Sequence, residues 1–142
     1  MKYYAVEPEV AGGWGENTVT TGAPGKSTVQ RLHYEFDGWL GDELLESTPC
    51  FIVTQRLARE IEHSRFTGAA FDEVEISKSD LFNQLHPDLQ LPRFAWLKIE
   101  GTPGRDDFGI APGLMLVVSE RALALLKRVG FANAATITPF EN

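Results

Sequence analysis

Apolar and polar residues alternate most regularly between Val29 and Asp37, where Leu32, Tyr34 and Phe36 fall on one side of the chain and Arg31, His33, Glu35 and Asp37 on the other. A period of two predicts a half-buried strand. Before it, "KYYAV" predicts an opening strand, and residues 7–28, with five glycines plus Pro8 and Pro24, predict a long loop.

Further along, a shift of 65 lays Phe51–Ala70 over Leu116–Ala135 without a gap, with identities at Val53/Val118, Arg56/Arg121, Phe66/Phe131, Ala69/Ala134 and Ala70/Ala135. In each copy an apolar strand runs into a hydroxyl residue, Thr54 or Ser119, placed to cap a helix by accepting a hydrogen bond from a free backbone N–H. About ten helical residues follow, then Phe66 or Phe131, then a second strand, "FDEVEI" or "ATITPF". The pattern predicts a strand, helix, strand pseudo-repeat over residues 51–76 and 116–140. Duplication and shared secondary structure both account for five identities, and two copies do not make a solenoid.

Between the copies, "SDLFNQL" predicts a short helix capped by Ser79, and "RFAWLKI" an apolar, aromatic strand. "GTPGRDDFGIAPG" reads as another Gly/Pro loop. About seven strands with two or three short helices, unevenly alternating, predict a single α+β domain over residues 1–142, with a mixed, mostly antiparallel sheet.

Composition adds bounds. A chain of 142 residues, 43% hydrophobic and 23% charged, is the size and make-up of one soluble domain. No apolar run reaches the roughly 18 residues of a membrane span, the N-terminus lacks a secretory apolar stretch, and the lone Cys50 cannot form an internal disulfide. A cytoplasmic location is the expectation.

The net charge of −7 is unevenly placed: residues 35–80 hold eleven acidic side chains against four basic, an excess equal to that of the whole chain. Such a field repels phosphate backbones and attracts basic surfaces, so nucleic-acid binding is not expected.

Candidate chemistry is sparse. "TTGAPGKST" ends like a phosphate-binding loop, but Thr20 stands where its first glycine belongs, and the following segment alternates like a strand instead of entering a helix. His86-Pro87-Asp88 reads as a turn. His33, Glu35 and Asp37 share one strand face, which is either the watered side of the strand or the start of a metal or proton-transfer site; that site would make the chain a small metal-dependent enzyme or ligand-binding domain. Cys50, within "PCFIV", reads as a core residue. With no catalytic spacing elsewhere, no enzyme, cofactor or metal is expected.

Two Trp-bearing Gly/acid segments, "GGWGENT" and "FDGWLGDELLE", have the composition of a recognition surface, an aromatic anchor beside steering carboxylates. The expected partner-binding residues are Trp14, Glu16, Asp37, Trp39, Asp42, Glu43 and Glu46; each Trp also reads as a core residue whose glycines turn the chain.

"FIVTQRLAREIE", "FDEVEI", "FAWLKIEG", "RDDFGI" and "LVVSERALALLKRVG" together resemble small bacterial immunity proteins encoded beside polymorphic or contact-delivered toxins, in which an apolar strand ending in V-S-E-R and its helix recur near the C-terminus. The resemblance spans Phe51–Phe140. It implies a non-catalytic cytoplasmic protein that binds and blocks a cognate toxin domain. A basic, nuclease-type toxin would suit the charge, and the pseudo-repeat would also allow self-pairing into a homo-oligomer.

Overall fold

The computed structural model describes residues 2–22, 28–129 and 135–141. The chain opens with β1 (Tyr3–Glu7), β2 (Gly12–Trp14) and β3 (Val19–Thr21), then the long β4 (Thr28–Phe36). A hairpin of β5 (Leu44–Ser47) and β6 (Cys50–Thr54) leads into α1 (Gln55–His63). After it come β7 (Ala69–Asp72), β8 (Val74–Lys78), α2 (Asp80–Leu85) and β9 (Phe94–Ile99). A second hairpin, β10 (Phe108–Ala111) and β11 (Met115–Ser119), leads into α3 (Glu120–Val129), and β12 (Thr136–Phe140) closes the chain. The fold is α+β.

The strands form three sheets of four, where one mixed sheet was expected. Their orders are β10-β11-β1-β12, β5-β6-β9-β7, and a third in which β4 pairs with β2 and β3 along successive halves and with β8 on its other edge. Only the β4–β8 pair is parallel among these. The expected long loop at 7–28 thus contains β2 and β3, and residues 23–27, most of "TTGAPGKST", lie outside the described residues. Likewise "FDEVEI" is not one strand: Phe71 and Asp72 pair with β9, whereas Val74–Lys78 pair with β4.

The β5-β6-β9-β7 sheet is the middle layer and explains the runs with no polar face. Phe51 and Val53 of β6, with Ala95 and Leu97 of β9, enter a core shared with α1, α3 and the β1 sheet. Cys50, Ile52, Phe94 and Trp96 enter a second core with Leu32, Tyr34, Phe36 and Phe82. Burial on both sides removes the alternation that a half-exposed strand shows. It also pushes the Cys50 thiol up to about 11, so Cys50 sits as a neutral core residue.

The two copies share more than a helix. Each is a hairpin followed by a helix, and in each an extra strand lies between the hairpin's second strand and the strand after the helix: β9 in the first unit, β1 in the second. A twin clamp joins each hairpin to its helix. Thr54 N–H donates to the Glu43 carbonyl (3.0 Å), the Thr54 hydroxyl donates to Glu43 Oε1 (2.5 Å) and accepts from Leu57 N–H (3.2 Å), and Arg56 binds both oxygens of the same carboxylate. In the second unit Ser119 N–H donates to the Asp107 carbonyl (2.9 Å), and the Ser119 hydroxyl donates to Asp107 Oδ1 (2.6 Å) and accepts from Ala122 N–H (3.2 Å). Arg121 forks onto Asp107 with two 2.7 Å bonds. Each arginine then reaches the other unit: Arg56 donates to the Val129 carbonyl at the end of α3 (3.1 Å), and Arg121 lies over the Phe66 ring just beyond α1. Phe131 and Ala134, two of the matched positions, lie outside the described residues.

Candidate functional site

The segment that follows β4 is built on a buried acid that the alternation does not reveal. Glu9, 5% exposed, turns its carboxylate inward, where Oε2 accepts from Leu40 N–H (2.7 Å) and Oε1 from Asp42 N–H (3.2 Å). Burial raises its pKa; the two backbone N–H groups pull it down, and the Asp42 charge raises it further. Ala11 adds a second tie, its carbonyl accepting from Asp37 N–H (2.8 Å) and Gly38 N–H (3.2 Å). Beneath, the Tyr34 hydroxyl accepts from Ala11 N–H and donates to the Glu46 carbonyl. Burial pushes that phenol up to about 12. Residues 9–11 and 37–42 are therefore one hydrogen-bonded unit, and a loop held this way presents its side chains in fixed positions.

Those side chains include two large apolar groups left in water: Val10 is 65% exposed and Leu40 68%. Trp39 is half-buried. Its indole N–H donates to the Asp42 carbonyl (2.8 Å), its ring meets Phe94 edge-on, and it borders a recess of about 320 Å³ with Pro92 and Arg93. Asp37 is exposed at the start of the loop.

The expected partner-binding residues are not all on this surface. Asp37 and Glu16 are exposed, Trp14 is 42% exposed, and Trp39 and Glu46 are half-buried. Asp42 and Glu43 are corrections: Asp42 has no exposed surface and Glu43 only 9%. Glu43 is taken up by Thr54 and Arg56, and both side chains are withdrawn from the surface on which they were expected. Leu40, Val10 and Glu9 escaped the sequence reading. For Leu40 there is a signal in retrospect, an isolated large apolar residue in "DGWLGD"; Glu9 in "EPEV" carries none.

The face shared by His33, Glu35 and Asp37 is also a correction. It is not uniformly watered: His33 is 5% exposed, roofed by the backbone of Gly15, where a Cβ would overlap the imidazole ring. Asn17 N–H donates to Nδ1 (3.2 Å), which makes Nδ1 the acceptor and assigns the ring proton to Nε2. Nε2 lies 2.7 Å from Ser77 Oγ and therefore donates to it. A base that activates a hydroxyl needs the opposite tautomer, with Nε2 free to take the proton. Glu75, 3.8 Å from Nε2, accepts from Asn17 Nδ2 and pairs with Arg31, so the cluster ties the β2–β3 segment to β4 and β8. His63 ends α1, and His86 caps α2 against Phe82. Among the described residues, no three His, Cys, Asp or Glu side chains converge as metal ligands, and no helix is long and apolar enough to cross a membrane.

No protein-family model matches the chain, and no curated protein matches it significantly. What the geometry defines is a hydrogen-bonded loop that holds exposed apolar side chains on the surface of an acidic α+β domain.

Proposed function

We propose that the protein is a non-catalytic binding protein, an immunity protein that covers and neutralises a basic domain of a cognate bacterial toxin in the cytoplasm. The observation that carries this reading is the anchored loop at 37–42. Leu40 and Val10 stand in water on segments tied down by Glu9, and exposed Asp37 lies beside them. A rigid loop loses little conformational freedom when a partner covers it, and exposed apolar groups beside the exposed carboxylate of Asp37 suit a partner with an apolar patch and a basic group at its rim. The excess of acid between residues 35 and 80 supports the sign of that partner, and the resemblance of Phe51–Phe140 to toxin-neutralising proteins supports its kind.

Co-expression with the product of the adjacent gene is expected to yield a complex. Leu40→Asp should weaken it at least tenfold, through a faster dissociation, and Asp37→Lys by a smaller factor, through a slower association whose difference from the wild type shrinks at higher salt. Leu114→Asp, at another exposed apolar residue, serves as the control. Equal affinity for all three variants would remove the assigned surface; failure to form any complex would remove the immunity reading itself.

A further inference from the structure

β8 is an edge strand with a groove beside it. Among the described residues its only partner strand is β4, and no backbone group of Val74–Lys78 hydrogen-bonds to anything beyond β4. A groove of about 620 Å³ separates it from the segment Gln90–Phe94. Val74, Ile76, Leu91 and Phe94 supply apolar wall, and Lys78 and Arg93 supply charge.

The charge is the unexpected part. In a chain with 20 acidic and 13 basic residues, the eleven residues lining this groove include two cations and no carboxylate. Lys78 is held in place, its Nζ donating to the Leu89 carbonyl (2.9 Å) and lying over the Phe82 ring, with two N–H donors left over. Arg93 is exposed. An unpaired strand edge offers alternating N–H and C=O groups to a second strand, and natural edges are usually covered or blocked. A chain that adds to this edge meets β8 on one side and the 90–93 segment on the other.

We propose that the β8 groove binds an extended, carboxylate-bearing segment of another protein by strand addition, main-chain pairing to Val74–Lys78 supplying affinity and Lys78 with Arg93 selecting for acidic side chains. Pro92 and Arg93 line both this groove and the recess beside Trp39, but β8 is no part of the anchored loop, and the partner has the opposite charge from the basic toxin domain proposed above; the peptide test is read at Val74–Lys78 and stands or falls without that reading.

The test uses the whole chain and three acetylated, amidated hexapeptides. One alternates Glu and Val, the second replaces each Glu by Lys, and the third is the Glu peptide with alternate backbone amides N-methylated. The Glu peptide is expected to bind weakly, to slow amide exchange within Val74–Lys78, and to shift resonances there and in residues 90–93. Arg93→Glu, a change at an exposed side chain, should lower its affinity at least tenfold while the spectrum of the free protein stays folded. No binding of the Glu peptide at millimolar concentration, equal binding of the Lys or N-methylated peptide, or protection elsewhere than β8 would each overturn the proposal.

Discussion

Asp107 is 4% exposed, and burial alone would push its carboxyl up; the Arg121 fork, the Ser119 hydroxyl and Thr67 N–H outweigh this and hold it down at about 2. An acid whose folded pKa lies below its unfolded value of about 3.8 stabilises the fold above that value and loses the contribution as pH falls through about 2. The shift alone corresponds to roughly 2 kcal/mol, and the solvent exposure of Arg121 reduces it to about 1–2 kcal/mol. Asp107→Asn is therefore expected to lower stability at neutral pH and to flatten its decline between about pH 4 and 2, read by urea unfolding. An unchanged pH profile would show that Asp107 is not the group responsible. At Gly15 the reason is space. Gly15→Ala drives a methyl into the His33 ring and should cost about 1–3 kcal/mol. The same change in a His33→Ala background should cost much less, a coupling that a double-mutant cycle measures. Equal costs in the two backgrounds would dismiss the steric account. Neither effect is legible in the sequence, since Gly15 and His33 are brought together only by the pairing of the N-terminal segment with β4.

At the scale of elements the three helices were legible and many strands were not. Thr54, Ser79 and Ser119 each cap the helix they precede, because capping involves atoms only two or three residues apart. β4 was legible because one of its faces is buried continuously. The short strands β2, β3, β5 and β10 were missed: three or four residues hold too few alternations to stand out, and their pairing partners supply what propensity does not. The partner carboxylates of the twin clamps were missed for a counting reason. Glu43 and Asp107 are 64 apart, not 65, since the β10–β11 turn is one residue longer than the β5–β6 turn. The anchored loop makes a prediction at this scale. Glu9→Ala removes the acceptor for Leu40 and Asp42 N–H, so exchange of those two amides should accelerate about tenfold, corresponding to roughly 1–2 kcal/mol of local opening. Unchanged exchange would mean that other contacts hold the loop.

For the molecule as a whole, the arrangement of its two units is cyclic. β9 follows the strands it joins in the first unit, whereas β1 precedes those it joins in the second, and Tyr3 lies opposite Phe140. A chain in which a short linker joins residue 141 to residue 2, opened instead at exposed Arg105, would make the second unit contiguous. It is expected to fold to the same structure, with a melting temperature within several degrees of the original and the same amide spectrum away from the cuts. A molten or aggregated product would show that the original order of the strands matters to the fold. By itself the sequence determined the helices and their caps, the two-residue rhythm of β4, the apolar runs of β6 and β9, and the excess of acid, because each depends on neighbours along the chain. Only the tertiary structure decided which carboxylates meet water. Asp42 and Glu43 were drawn inward, and Glu9 was turned beneath the loop by N–H donors some thirty residues away. Leu40 was left outside because that anchoring fixes the loop with its apolar side chain toward solvent.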